Sequence, residues 1–184
     1  MRVIAGKARR TNLVTPEGKN TRPTSDRIKE TLFNMLQQEL YDVRFLDIFS
    51  GSGGISIEAL SRGAKEAVMI DNDAAAVRCI KENIKITHFE DSARVLKMEA
   101  VSALKKLDVE GRTFDIIFMD PPYNHDTEAK ILNILLDSGL VYENTLIIIE
   151  TSLETDISYM YDMPCKVERV KEYKTNRHIF IRAK

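Results

Sequence analysis

A short acidic and proline-rich run, Asp120-Pro121-Pro122-Tyr123, directly follows the mostly apolar strand pattern 114–119 of this 184-residue chain. Because prolines have no N–H group, the Asp120 carboxylate and the Pro121 carbonyl can both accept from one planar NH2 group without competing donors. Two in-plane acceptors would orient that amine for attack on a methyl group. Tyr123 would stack on the flipped base that carries the amine. These four residues are the predicted catalytic residues.

A second candidate site is a glycine-rich turn between a strand pattern and a helix pattern, at residues 46–54. Gly51 and Gly53 would let backbone N–H groups approach a ligand closely. The dinucleotide fingerprint needs a third glycine, where this chain has Ser56. Asp47 would repel a diphosphate, but it suits the sulfonium and ammonium groups of S-adenosylmethionine. The turn therefore predicts an S-adenosylmethionine site, with a tight turn that binds no ligand as the alternative.

Acidic residues also follow the next two strand patterns. Asp71 comes 20 residues after Gly51, where a carboxylate usually accepts hydrogen bonds from ribose hydroxyls. Glu99 and Ala100 lie where an adenine amino group could be read. Plain helix caps or acidic helix starts would also explain these residues. The predicted cofactor-binding residues are Asp47, Phe49, Gly51, Gly53, Asp71, Asn72, Glu99 and Ala100.

These residues require a scaffold in which strands and helices alternate. From residue 43 onward, short apolar runs typical of strands alternate with patterns typical of helices. The apolar runs 116–119 and 146–149 lack polar alternation, which is typical of a parallel sheet covered on both faces. We therefore predict an α/β, doubly wound fold. The predicted strands are 43–49, 67–71, 93–98, 114–119 and 145–150, and the predicted helices are 55–61, 74–86, 100–107 and 128–136.

The two ends of the chain have other patterns. Cap chemistry at Ser25-Asp26 and leucines at every fourth position predict an amphipathic helix from about residue 25 to 40. Near the other end, residues 166–170 and 178–182 alternate around Thr175-Asn176, which predicts an antiparallel hairpin. Residues 153–161 are weakly helical. We divide the chain into a basic extension with its helix, 1–42, and a main domain, 43–184.

Charge is distributed unevenly along the chain, although the net charge is only −1. Residues 1–30 and 164–184 each carry +5, whereas residues 31–163 carry −11. Basic ends on an acidic body suggest contact with nucleic acid, and solvated surface charge is the other explanation. The predicted phosphate contacts are Arg2, Lys7, Arg9, Arg10, Arg22 and Arg27, with Lys29 also available on the same helix.

The remaining sequence features exclude several classes. Cys79 and Cys165 form no CxxC pair and have no histidine at metal spacing, so we expect two buried thiols and no metal site. No apolar run approaches 18 residues, and the first residues lack the apolar region of a signal peptide. We expect a cytoplasmic location and assign no histidine a catalytic role.

Together, the glycine-rich turn, Asp71 and the acidic proline run resemble class I S-adenosylmethionine-dependent amino methyltransferases. Three further segments, 2–7, 22–34 and 58–64, resemble the bacterial 16S ribosomal RNA guanine-N2 methyltransferase family, methyltransferase D. The resemblance runs from the first residue to the predicted hairpin, and the acidic proline run alone does not choose among amino methyltransferases. One departure is Ser56, where the family often has glycine.

This resemblance implies a sheet of seven mostly parallel strands whose last strand is antiparallel. It also implies transfer of a methyl group to N2 of one guanine in small-subunit rRNA during ribosome assembly, in the cytoplasm and without a metal. Alternatives are an amino methyltransferase of DNA or RNA adenine-N6 or of protein glutamine, a nicotinamide-dependent oxidoreductase, and a non-catalytic assembly factor. A DNA adenine enzyme is disfavoured by the short chain, and an oxidoreductase by Ser56 and the unused proline run.

Overall fold

The computed structural model describes residues 1–16, 26–122 and 127–184, along which helices and strands alternate. The helices are α1 (Asp26–Met35), α2 (Gly54–Ser61), α3 (Ala74–Thr87), α4 (Ala100–Val109) and α5 (Thr127–Leu136). The strands are β1 (Arg44–Ile48), β2 (Glu66–Asp71), β3 (Ala93–Lys97), β4 (Ile116–Met119), β5 (Leu146–Ser152), β6 (Cys165–Glu172) and β7 (Asn176–Ala183). A 3-10 turn covers Ser158–Tyr161. Within these described ranges, no helix has the length and apolar character needed to cross a membrane.

The first compact unit, Met1–Glu99, contains three parallel strands in the order β3-β2-β1. The central parts of β1 and β2 are buried on both faces, which explains why their sequences do not alternate. Helices α2 and α3 pack on these strands. Because Ile48 is the register partner of Ile70, β1 and β2 end side by side. The two loops that carry most of the predicted cofactor residues therefore start at one edge.

The second compact unit, Ala100–Lys184, contains four strands in the order β4-β5-β7-β6. Strands β4 and β5 are parallel, and Met119 is paired with Ile149. Strand β7 runs antiparallel to both β5 and β6, with a register shift in β6 between Val167 and Arg169. The parallel strands, the crossover helices and the closing hairpin confirm the predicted α/β class.

Several element boundaries differ from the sequence prediction, most of them by one or two residues. Helix α1 ends at Met35 and not near residue 40, because a turn follows in which the Glu39 N–H donates to the Leu36 carbonyl. Leu36 and Leu40 are nevertheless buried, so burial at every fourth position did not require helix throughout. Strand β4 begins at Ile116. In the stretch 153–161, only the last four residues form a helical turn.

The hairpin turn is also displaced from its predicted position. Asn176 is the first residue of β7, so the turn lies at residues 173–175. The Tyr173 N–H donates to the Asn176 carbonyl over 2.8 Å and closes that turn. The predicted cap at Ser25 lies outside the described residues. The division into 1–42 and 43–184 stays a prediction.

Candidate functional site

The loop after β1 adopts backbone conformations that favour glycine. Gly51 and Gly53 have positive φ angles of 55° and 75°, and Phe49 has a φ of 68° although it carries a side chain. Positive φ is costly for an L residue with a side chain, so the Phe49 backbone is strained, whereas Gly51 and Gly53 adopt positive φ without that cost. A Cβ on Gly51 would meet no atom within 4 Å, which leaves its backbone open to a ligand. On Gly53 it would approach Met69 Sδ at 3.1 Å.

Asp71, the last residue of β2, holds this loop. Its Oδ2 atom accepts a hydrogen bond from the Gly51 N–H over 2.8 Å, and its Oδ1 atom accepts from the Asp73 N–H over 2.9 Å. Ser50 ties the start of the same loop to β2, because its N–H donates to the Ile70 carbonyl over 2.9 Å. The structure thus brings together Gly51 and Asp71, which the sequence predicted as separate cofactor contacts.

Two further predicted cofactor residues also lie together. The exposed Asn72 side chain donates through Nδ2 to Glu99 Oε1 over 2.5 Å, linking the ends of β2 and β3. Asp73 caps α3, because its Oδ1 accepts from the Ala75 N–H over 2.7 Å. The cap therefore belongs to Asp73, which leaves Asp71 and Asn72 available for another task. Ala100 is buried as the first residue of α4.

Asp47 lies inside β1 and its side chain is buried beneath the loop, not on the loop surface. Burial raises the pKa of this carboxyl group to about 7, although hydrogen bonds from Ser56 act in the opposite direction. The Ser56 hydroxyl donates to Asp47 Oδ2 over 2.8 Å. From the sequence, Ser56 was interpreted only as the absence of a glycine, and its role as the partner of Asp47 was missed. A hydroxyl nine residues after a strand carboxylate was the available signal.

In the second unit, the acidic proline run directly follows β4. Asp120 is half-buried, Pro121 is buried and Pro122 is exposed, whereas Tyr123 lies outside the described residues. The register of β4 with β5 ends at Met119 and Ile149, the residues directly before Asp120 and Glu150. Asp120 therefore directly follows a fully buried strand that is paired with β5.

Glu150 belongs to a buried polar network that sequence reasoning missed. It accepts hydrogen bonds from Asn176 Nδ2 and from His178 Nε2, the latter at 2.9 Å. The Tyr173 hydroxyl lies 3.1 Å from His178 Nδ1, and burial raises the pKa of Tyr173 to about 12. A glutamate after four apolar residues was the only sequence signal. The network joins β5 to β7 and fixes the strand beside Asp120.

The amino-terminal arm, residues 1–16, begins with a hairpin that pairs Arg2 with Asn12. The side chains of Lys7, Arg9 and Arg10 are exposed at its tip, as phosphate contacts would need to be. Arg2 is exposed but forms an ion pair with Asp26 at 3.2 Å. Arg27 is also exposed on α1. Arg22 lies outside the described residues.

Lys29 is a correction to the sequence analysis, which made it available for phosphate. Its side chain is fully buried, where Nζ lies 3.1 Å from Glu58 Oε2 and donates to the Arg2 carbonyl. Burial lowers the pKa of Lys29, although the negative charge of Glu58 opposes the shift. A surface pattern cannot reveal that a lysine pairs with a glutamate 29 positions away. Lys29 thus stabilises the arm.

Glu58 on α2 is the centre of the arm's attachment, a function that the sequence analysis did not assign. Its carboxylate accepts from the N–H groups of Ile4 and Ala5, at 2.8 and 3.0 Å, and it also pairs with Arg62 Nε at 2.8 Å. The spacing of Glu58 and Arg62, four residues apart on a helix, was the available signal. The family-like segment 58–64 is therefore the arm's docking surface.

Among the described residues, no group of three or more histidine, cysteine, aspartate or glutamate side chains could hold a metal ion. Cys79 and Cys165 are buried free thiols, as predicted, and burial raises the pKa of both.

Comparisons with known proteins place these features in a family. The family model described as conserved hypothetical protein 95 matches residues 1–182. The ribosomal RNA small subunit methyltransferase D of Escherichia coli K12 is 36% identical over 157 residues, which cover 85% of this chain and 77% of that protein. The Haemophilus influenzae protein of the same name is 33% identical over 152 residues, covering 82% and 78%.

Solved structures show the same fold. A hypothetical protein from Thermus thermophilus is 32% identical, with a TM-score of 0.85 over 100% of this chain and 99% of that one. An S-adenosylmethionine-dependent methyltransferase from Agrobacterium tumefaciens, 16% identical, has a TM-score of 0.66 over 96% of this chain and 65% of that one, a likeness of fold alone. The chain belongs to the conserved hypothetical protein 95 family and to the methyltransferase D family that its sequence resembles.

Proposed function

We propose that this chain is an S-adenosylmethionine-dependent rRNA methyltransferase that modifies the exocyclic N2 amino group of one guanine in small-subunit rRNA. The observation that carries the proposal is the open backbone at Gly51, held in place by Asp71 at the end of the neighbouring strand. That pairing creates room and acceptors for a nucleoside. Relatives named ribosomal RNA small subunit methyltransferase D supply the substrate class.

The residues of the first unit fit the cofactor. S-adenosylmethionine supplies an electrophilic methyl group on a sulfonium when it is bound. Both Asp71 oxygens accept backbone N–H groups but keep lone pairs for ribose hydroxyls. The carboxyl group of Asp47 is buried beneath the loop and is not directly exposed. A cation bound nearby would favour the ionised form of this group, which would then provide negative charge beneath the loop. Asn72 and Glu99 are already joined and exposed, so they can present polar atoms to an adenine edge.

The residues of the second unit fit the acceptor amine. The Asp120 carboxylate and the Pro121 carbonyl would accept the two hydrogens of the guanine amino group and hold its nitrogen lone pair toward the methyl group. Tyr123 would stack on the base. As the new N–C bond forms and the S–C bond breaks, the sulfur keeps the bonding pair and the amine loses one proton. Asp120 or water would take that proton.

The basic tip of the arm fits an RNA backbone. Lys7, Arg9 and Arg10 are exposed on a hairpin whose own backbone is hydrogen-bonded to α2. Phosphate contacts position a protein on RNA without reading its sequence, so we assign the arm to binding and not to base selection. The substrate would be an assembly particle or a small ribosomal subunit in the cytoplasm.

A methyl-transfer assay tests the proposal. Protein and S-adenosylmethionine with a labelled methyl group are offered naked 16S rRNA, an assembly particle and the mature small subunit, and modified nucleosides are identified by mass spectrometry. We expect N2-methylguanosine from at least one of the three. N6-methyladenosine would support an adenine methyltransferase instead. No transfer despite cofactor binding would support the non-catalytic assembly factor.

A further inference from the structure

Asn83 on α3 connects the amino-terminal arm to the glycine-rich loop. Its Oδ1 atom accepts from the Val14 N–H over 2.7 Å, and its Nδ2 group donates to the Val14 carbonyl over 2.8 Å and to the Ser52 carbonyl over 2.9 Å. The side chain is fully buried. One amide therefore satisfies three backbone groups from two distant segments, and the position of each segment depends on the other.

Met1 makes a second contact between the same two segments. Its Sδ atom lies 3.8 Å from the Ser52 hydroxyl, and a Cβ on Gly54 would overlap Sδ. The side chain of Met1 therefore covers the end of the loop, directly before α2. The Leu13 N–H donates to the Met1 carbonyl over 2.9 Å, so Met1 is held by the returning strand of the arm hairpin.

Specific backbone and side-chain hydrogen bonds hold the arm against α2. Ser61 accepts from the Ala8 N–H through its hydroxyl at 2.9 Å, and its carbonyl accepts from the Lys7 N–H at 2.8 Å. Gly6 has a φ of 82°, and a Cβ there would overlap the Ser61 carbonyl oxygen. Only glycine permits this approach. Together with Glu58, these contacts fix the arm before any RNA is bound.

We infer that the arm is a structural part of the cofactor site, with Asn83 as a positioning residue that bonds the Ser52 peptide and the docked arm at the same time. The inference rests on the proposed function, since it concerns cofactor binding to the loop. The loop needs a defined backbone because its N–H groups and the open face at Gly51 must meet the cofactor without rearrangement. The same residues that present Lys7, Arg9 and Arg10 to RNA then also shape the cofactor loop.

Calorimetry of S-adenosylhomocysteine binding to the variant Asn83→Ala tests whether Asn83 sets the cofactor affinity. We expect the dissociation constant to rise at least about 5-fold with an unchanged number of sites, in the range of ordinary coupling between sites. If the substitution only destabilised the fold, part of the protein would be unfolded, and calorimetry would show fewer binding sites per chain with the wild-type dissociation constant. The control is Asn133→Ala, an exposed helical asparagine whose amide donates to the Ala129 carbonyl. A constant within about 2-fold of wild type for Asn83→Ala would overturn the inference.

A second variant, Gly6→Ala, tests the route through the arm. It removes no group that contacts the loop, but its Cβ would force the hairpin away from Ser61. We expect weaker S-adenosylhomocysteine binding in Gly6→Ala too. In the double variant Gly6→Ala/Asn83→Ala, we expect the fold rise in the dissociation constant to be smaller than the product of the two single rises. Wild-type affinity in Gly6→Ala would overturn the role of the arm. If the wild-type protein itself bound no S-adenosylhomocysteine, the proposed function would fail, which is a separate result.

Discussion

Asp71 accepts a hydrogen bond from the backbone N–H of Gly51 over 2.8 Å, so one carboxylate holds the glycine-rich loop at the residue where an added Cβ would meet no atom within 4 Å. Asp71 is the last residue of β2, and Gly51 lies in the loop that follows β1, the parallel neighbour of β2. The hydrogen bonds of Asp71 with the N–H groups of Gly51 and Asp73 already fix the orientation of the carboxylate that, in the proposed function, would bind the ribose.

Replacing this carboxylate by an amide separates its two roles. In Asp71→Asn, the NH2 group cannot accept, so either the Gly51 or the Asp73 N–H loses its partner. We expect S-adenosylhomocysteine to bind at least about 10-fold more weakly, with a loss of about 1 kcal/mol in unfolding free energy. Calorimetry and urea unfolding measure the two effects. The exposed Asp91→Asn is the control, and equal affinities in both variants would remove Asp71 from the cofactor site.

Asp47 should make stability depend on pH. Because its folded pKa is about 7 and its ordinary value is 3.8, the folded state binds more protons between these pH values. The contribution of Asp47 to the unfolding free energy of the wild type therefore falls as pH rises from about 4 to about 7, and then levels off. In Asp47→Asn the Ser56 hydroxyl keeps an acceptor and no charge is buried.

We expect the stability of Asp47→Asn relative to wild type to increase over this window, by at most about 4 kcal/mol. Urea unfolding at pH 4.5 and pH 8, roughly the two sides of the transition, gives the comparison. A difference between the two proteins that stayed constant with pH would show that Asp47 does not titrate in this range.

The attachment of the arm should depend on Glu58. In Glu58→Gln, Lys29 stays buried without its negative partner, and the bonds to Ile4 and Ala5 lose the carboxylate charge. We expect a loss of about 3 to 5 kcal/mol in unfolding free energy. The matched control is Glu110→Gln, which breaks the exposed pair with Lys106 and should cost about 1 kcal/mol or less. Similar losses in the two variants would contradict a buried docking centre.

The arm's charge should govern RNA affinity. Neutralising Arg9 and Arg10 together removes two exposed positive charges at the hairpin tip, leaving the docking contacts in place. We expect weaker binding of 16S rRNA and a logarithmic salt slope that is smaller by about 1 to 2, with cofactor affinity unchanged. The double variant Lys81→Ala/Lys85→Ala, on the exposed face of α3, serves as the comparison. An unaltered slope in the arm variant would count against phosphate contact there.

Local patterns predicted most of the fold. Continuous apolar runs identified β4 and β5, and the alternation of residues 166–170 and 178–182 identified the hairpin. The apolar periodicity misled at the end of α1. Leu36 and Leu40 are buried although they lie beyond the last helical residue. Periodicity reports which residues face the core, but hydrogen bonds decide where a helix ends.

The candidate site was only partly predictable, because several of its contacts join residues far apart in sequence. Gly51 and Asp71 followed from strand ends and their spacing. In contrast, Lys29 pairs with Glu58, and Asn83 bonds Val14 and Ser52, over separations that no local pattern encodes. A polar residue on the buried face of a helix, as Asn83 is on α3, was a usable signal for such a contact.

Asp120 should orient the amine that receives the methyl group, and one measurement tests this role most directly. Wild type, Asp120→Ala and the exposed control Asp137→Ala are compared for initial rates of labelled methyl transfer to small-subunit rRNA, at saturating S-adenosylmethionine. We predict at least about a 100-fold loss for Asp120→Ala, wild-type rates for Asp137→Ala, and N2-methylguanosine as the product. Transfer by Asp120→Ala at the wild-type rate would contradict the assigned role.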